Sequence, residues 1–215
     1  MTQLFRKDFG FLFRLGVLGV FATAMVAVFL WRAVMAYPAG VNEPLEQPVP
    51  FSHKHHVTDE GIDCRYCHSS VETSAFAGMP PLSTCMTCHS QLFTDQPALA
   101  PLISAFQSDV SLRWQRVHDL PDFVYFNHSI HIAKGVGCAS CHGQVDQMPL
   151  TWRVAPLTMQ WCLDCHRSPE QYLRPRDQVF NLRWQAKDQR ALGAQLLLTY
   201  HIDKRRLTEC SVCHR

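Results

Sequence analysis

The sequence predicts a mainly α-helical body with extensive irregular loops, carried on one N-terminal transmembrane helix. Three observations lead there. Residues 15–31 form an uncharged apolar run of 17 residues, LGVLGVFATAMVAVFLW, just long enough for a tilted membrane-spanning helix. The pentapeptide Cys-x-x-Cys-His occurs five times and uses all ten cysteines. The chain is rich in punctuation, with 13 prolines and 10 glycines, and no βαβ pattern surrounds any cysteine pair.

The apolar run extends toward the N-terminus through Phe11, Leu12 and Phe13 if Arg14 snorkels to the headgroups. Arg6, Lys7 and Arg14 precede it and Arg32 alone follows directly, an asymmetry that places the N-terminus in the cytoplasm and the body on the periplasmic side. Val34-Met35-Ala36 would suit a processing site, but the run exceeds the roughly 7–15 apolar residues of a cleaved leader. A retained signal-anchor in the bacterial cytoplasmic membrane is the expectation. Gly19, Thr23 and Ala27 recur every four residues, a face of small side chains that a helix of an integral membrane subunit could approach.

The five motifs are Cys64–His68, Cys85–His89, Cys138–His142, Cys162–His166 and Cys210–His214. In such a motif both thiols form thioethers with a haem and the adjacent imidazole becomes the proximal iron ligand. A zinc site would want two ligand pairs per metal and gives no reason for the recurring histidine. A disulfide framework leaves the fixed spacing unexplained. The expectation is therefore five covalently attached haem c groups, on Cys64 and Cys67, Cys85 and Cys88, Cys138 and Cys141, Cys162 and Cys165, and Cys210 and Cys213. The macrocycles would supply much of the apolar surface that a body of this size otherwise lacks. Their propionates would take the formal charge from +2 to about −3 when all irons are ferric. The basic pI is thus no argument for nucleic-acid binding. No phosphate loop, nucleophile motif or His-Glu-x-x-His is present.

The body carries a duplication. Phe51-Ser-His53-Lys-His-His56 precedes the first two motifs, and Phe126-Asn-His128-Ser-Ile-His131 precedes the third and fourth. Each pair of motifs brackets a Met-Pro, Met79-Pro80 or Met148-Pro149. Self-similarity of this kind reads as two copies of one unit. The expected organisation is an anchor at 1–36, a Pro-rich extended linker at 37–50 (Pro38, Pro44, Pro48, Pro50), a dihaem module at 51–92, a helical connector at 93–125, a second dihaem module at 126–170 and a C-terminal segment with the fifth haem at 171–215. Leu99, Leu102, Ile103, Phe106 and Val110 predict an amphipathic helix with Pro101 in its first turn, and a second helix is expected from about residue 182 to 198.

The proximal ligands are His68, His89, His142, His166 and His214, and seven further histidines remain. In Phe-x-His-x-x-His the imidazoles lie three residues apart, on one side of a helical turn. One can serve the haem that follows and the other a neighbour. The expected distal ligands are His53, His56, His128, His131 and His118, with His201 in first reserve and His55 in second. Met79, Met148 and Met159 are thioether alternatives. Spacing alone assigns no distal ligand to a particular iron. Lys204-Arg205-Arg206, ahead of the last motif, reads as a solvated face.

The residues also carry a resemblance. Phe-Ser-His-Lys-His-His, Cys-Arg-Tyr-Cys-His-Ser-Ser-Val-Glu, Thr-Cys-Met-Thr-Cys-His, Leu-Pro-Asp-Phe-Val-Tyr-Phe-Asn-His-Ser-Ile-His and Leu-Thr-Met-Gln-Trp-Cys-Leu-Asp-Cys-His-Arg resemble the pentahaem cytochrome c subunit of bacterial alternative complex III, a quinol:electron-acceptor oxidoreductase. A related multihaem subunit occurs in the quinone-reductase complexes of sulfate reducers, and the Phe-x-His-x-x-His element is similar to small class III cytochromes c. The resemblance implies a class III-like multihaem body beside polytopic quinol-binding membrane subunits, an iron–sulfur subunit and a monohaem cytochrome c or other periplasmic electron acceptor. It implies an electron-transfer subunit with no catalytic residue of its own, passing electrons from quinol to a periplasmic carrier or terminal oxidase. Two alternatives are a multihaem reductase enzyme, which would need an open iron position, and a stand-alone quinol dehydrogenase.

Overall fold

The computed structural model describes residues 7–36 and 40–214. Arg6 and residues 37–39, with Pro38 of the expected linker, lie outside the described residues. The chain divides into two units at Ala39/Gly40.

The first unit is one helix, α1, Lys7–Ala36. Its apolar stretch Phe9–Val34 has 26 residues; the most apolar window within it has mean hydropathy 2.1 and none of that window is buried. At 1.5 Å per residue that stretch is about 39 Å long, more than a bilayer's hydrocarbon core. It is the one helix among the described residues with the length and composition to cross a membrane. The Thr23 hydroxyl donates back to the Gly19 and Val20 carbonyls, both at 2.9 Å, so its polarity is met within the helix.

The second unit, from Gly40 onward, is built of short helices: α2 (Cys64–Cys67), α3 (Leu82–His89), α4 (Ala100–Gln107), α5 (His128–Ala133), α6 (Ala139–His142), α7 (Met159–Arg167), α8 (Gln189–Thr199) and α9 (Cys210–Cys213). A π-helical turn, Lys54–Asp59, holds the first Phe-x-His-x-x-His element. Among the described residues there is no strand, only isolated bridges. The apolar core is small: Leu173, Leu196 and Tyr200 cluster under Val136, Leu192, Leu197 and Ile202. α8 reaches it because Gly193 lies flat on the Pro169–Gln171 turn, where any Cβ would collide with the Glu170 carbonyl.

Three expectations change. The linker is extended, but residues 40–50 are laid onto the body. The Asn42 N–H donates to Arg153 O at 2.7 Å, Gln47 pairs with the Gln115 backbone through two hydrogen bonds of 2.8 and 2.9 Å, and Val49 is buried. The second helix starts at Gln189, because Asp188 accepts the Ala191 N–H at 3.0 Å as an N-cap and the Leu182 carbonyl is taken by Gln144. α4 buries Leu102 and Ala105 with Pro101 in its first turn. It stops before Val110, where Ser108 folds its hydroxyl onto Ser104 O at 2.7 Å and Asp109 turns to φ +53°.

Candidate haem sites

Each motif begins on a helical turn, which sets thiols three residues apart on one face. Local caps fix those turns. Asp63 accepts the Arg65 N–H at 2.8 Å to start α2, and the Arg65 guanidinium holds its carboxyl down at about 2. Thr158 caps α7 at the Trp161 N–H, 3.3 Å. All ten thiols are free, so the disulfide alternative is not formed. Burial pushes the thiols of Cys138 and Cys165 up to about 11 and that of Cys141 to about 12.

The histidines form a geometric series. His53 faces His68 with ring centres 6.5 Å apart and planes 10° from parallel. His128 faces His142 at 6.3 Å and 13°. His56 lies 6.1 Å from His89, and His131 lies 6.2 Å from His166. Two imidazoles bound to opposite sides of one metal ion by nitrogen bonds of about 2 Å have centres roughly 6 Å apart. The four spacings therefore fit a bis-imidazole iron. Among the described residues no three His, Cys, Asp or Glu side chains converge as a bare metal ion would require, whereas a haem iron takes only two protein ligands.

The ring orientations are set from behind. The Nδ1–H groups of His68, His166 and His128 donate to the carbonyls of Gly78, Leu207 and Ala75, each at 2.8 Å. Those of His56 and His131 donate to the carbonyls four residues earlier, Ser52 at 2.9 Å and Asn127 at 2.7 Å. His89 and His214 do the same to Leu92 and Phe123, each at 3.2 Å. A carbonyl can only accept, so the proton sits on Nδ1 and Nε2 keeps its lone pair, the tautomer an iron ligand needs. Phe51 stacks on His56 at 4.4 Å and Phe126 on His131 at 4.5 Å. The same rings meet His53 and His128 edge-on at 4.9 and 4.8 Å. The duplicated sequence thus builds the same clamp twice.

The two copies also dock on each other. His53 Nδ1 lies 2.9 Å from the Thr151 hydroxyl, and the Lys54 N–H donates to Met148 O at 3.1 Å. In return the backbone N–H groups of His128 and Ser129 donate to Ala75 and Ser74. Each unit's imidazoles are therefore oriented partly by the other unit, and neither dihaem module is self-contained. Burial, followed by nearby histidines, keeps His53 neutral down to about 4 and His142 to about 3.

The remaining candidates fall differently. His118 is drawn to His142 at 4.3 Å, too close for a shared iron, and its buried Nε2 has no partner. That orphaned atom is one that an incoming cofactor could satisfy. His201 sits on an exposed turn after α8 at φ +51°, and among the described residues no ring contact pairs it or His118 with His214. The ring stacked on His214 is Phe123, at 5.8 Å. His55 is exposed beside Asp59 and Glu60. Met148 is 2% exposed and packs in the core, while Met79 and Met159 are exposed. Lys204 pairs with Glu170 at 3.0 Å and Arg205 with Asp203 at 3.2 Å, as a solvated face does.

Residues 124–215 match the family model described as cytochrome c7 and related cytochrome c, and residues 32–109 match that of the class III cytochrome c family. Each half of the chain is thus similar to a multihaem cytochrome c family, the first to class III and the second to c7. The two matches fall on the two halves of the duplication. Over 116 residues the chain is 37% identical to the multihaem cytochrome c subunit of menaquinone reductase from Nitratidesulfovibrio vulgaris. That alignment covers 54% of this chain and 53% of the relative, so the chain spans about half the length of the curated relative it matches. The mostly helical, loop-rich cytochrome body and the single apolar N-terminal helix are as the sequence predicts. Sequence reasoning missed the carbonyls of Gly78, Ala75 and Leu207 that aim the imidazoles, and the Thr151 hydroxyl. A backbone carbonyl leaves no residue-type signature.

Proposed function

We propose that this cytochrome is the membrane-anchored, five-haem electron-transfer subunit of a quinone-linked complex of the periplasmic face. The observation that carries the reading is the set of four imidazole pairs at 6.1–6.5 Å, each containing the histidine of one Cys-x-x-Cys-His motif. Cys64/Cys67 with His68 and His53 hold the first haem, Cys85/Cys88 with His89 and His56 the second, Cys138/Cys141 with His142 and His128 the third, and Cys162/Cys165 with His166 and His131 the fourth. Cys210/Cys213 and His214 hold the fifth. Haem supplies a one-electron ferric/ferrous couple and a large apolar surface.

The protein's own residues do the rest. The imidazole pairs would close four bound irons to substrates, and the carbonyl-bound Nδ1–H groups hold the rings in fixed orientations, so little would rearrange when charge passes. The reading is therefore non-catalytic. Quinol is oxidised on partner membrane subunits, which release its two protons and hand its two electrons on singly through an iron–sulfur subunit and this chain to a monohaem cytochrome or other periplasmic acceptor. Resemblance to the pentahaem subunit of alternative complex III supports that direction. The relative's name, a menaquinone reductase subunit, supports the link to a quinone pool. α1 supports anchoring, with the haem-bearing body outside the cytoplasmic membrane.

One observation favours a second reading, a multihaem reductase: His214 is stacked by Phe123 rather than faced by an imidazole. Two measurements separate the readings. Mass spectrometry of the mature chain should show five haem adducts. The native complex should oxidise quinol while the isolated chain does not. Fewer adducts, or quinol oxidation or nitrite reduction by the isolated chain, would contradict the proposal.

A further inference from the structure

The five motifs do not follow one another in space as they do in sequence. We infer that they form one line in the order second, first, third, fourth, fifth, so that electrons enter and leave at the helices bearing Cys88 and Cys210. The inference rests on the preceding reading that each motif carries a haem.

Every link has its own contacts. The second and first motifs are joined by a 2.8 Å hydrogen bond between the hydroxyls of Thr87 and Tyr66, which lie inside them. Cys67 and Cys85 are near enough to interact electrostatically. His53 and His56, on one turn, reach the two proximal histidines. From the first motif, Arg65 lies 4.7 Å over the ring of Phe180, next to Val179, whose carbonyl accepts the Cys138 N–H of the third motif at 3.1 Å. Cys64 and Cys138 also lie near one another. The third and fourth are coupled through α5, where His128 and His131 face His142 and His166. Cys141 lies near both Cys165 and Cys162. The fourth and fifth meet where His166 donates to Leu207 O at 2.8 Å, three residues before Cys210, and Cys162 lies near Cys213. Among the described residues no hydrogen bond or ring contact joins the second motif to the third, fourth or fifth, or the first to the fifth.

A second, independent observation points the same way. Of the ten cysteines, Cys88 and Cys210 are the two that are exposed, and the other eight are partly covered. They belong to the two motifs at the ends of the line. An interior site is flanked on both sides, while an end site keeps an open edge for a redox partner. An electron given up by a reduced iron–sulfur protein at one end is matched by one taken up by an oxidised c-type cytochrome at the other. No bond in this chain is made or broken.

The test is a cryo-electron microscopy map of the native complex in which each iron is assigned to its motif. The expected nearest neighbours are second–first, first–third, third–fourth and fourth–fifth, with the second and fifth irons the farthest apart. A first iron at one end of the line, or a second iron touching the third, would overturn the order while leaving the five-haem reading intact. A map with fewer than five irons would overturn both.

Discussion

The first four motifs and the fifth differ in what lies opposite their histidines. In the duplicated region a separate element, Phe-x-His-x-x-His, places an imidazole there, and the two copies agree to within a few tenths of an ångström in their aromatic clamps. The fifth motif has no such element. The extended segment 123–125 runs beside it instead, with Val124 bridged to His214, the Tyr125 N–H on Cys213 O at 2.8 Å, and Phe123, 63% exposed, stacked on the proximal ring. A Cys-x-x-Cys-His motif would thus fix one side of an iron, and a distant element would decide what closes the other.

The largest effect should come from removing a haem from each region. Replacing Cys138 and Cys141 together by Ala takes away the third haem, around which both units meet through His53, Thr151, His118 and His142. We expect no stable cytochrome to accumulate, because a cofactor bound only by the folded state carries its binding energy into folding. Replacing Cys210 and Cys213 by Ala should leave a folded chain with about four-fifths of the haem absorbance. Haem stain and intact mass check both, and equal losses would break the contrast.

Next come the axial groups. His128→Ala should convert one low-spin iron to a five-coordinate, carbon monoxide-binding one without loss of covalent haem. His118→Ala should not, because His118 touches the proximal ring at 4.3 Å rather than facing it across an iron. A high-spin signal in the His118 variant would move that residue among the ligands.

Gly193→Ala should be milder. Its Cβ would displace the Glu170 backbone beneath α8, costing about 1–3 kcal/mol. In a chain of this size that lowers Tm by roughly 2–4 °C per kcal/mol. Because α8 leads toward the fifth motif, the last site should be disturbed before the first two. Smallest of all, Phe51→Leu and Phe126→Leu each remove one stacked and one edge contact of about 0.5–1.5 kcal/mol apiece. Equal falls in Tm and equal shifts in low-spin g-values would sharpen the equivalence of the copies. A strong asymmetry would break it.

Much of this was legible because it is written in side-chain chemistry. The cysteine pairs, the histidine after each, and the duplicated Phe-x-His-x-x-His are residue types at fixed spacing, and the periodicity of α1 and α4 is equally plain. What stayed hidden depends on the folded backbone. Nothing about His118 in sequence shows that residues 111–121 carry it to His142 instead of His214. Neither does the composition of residues 40–50 reveal that Asn42 and Gln47 tie them down. The start of α8 at Gln189 could have been read from Asp188, a capping residue that the apolar pattern beginning at Leu182 outweighed.

The central claim is that four facing imidazole pairs each close an iron of the duplicated region. Carbon monoxide titration of the fully reduced, full-length holoprotein, read by optical difference spectra, tests it most directly. The account predicts binding at no more than one iron in five, that of His214. Binding at two or more would mean that at least one of the pairs at 6.1–6.5 Å holds no iron between its rings.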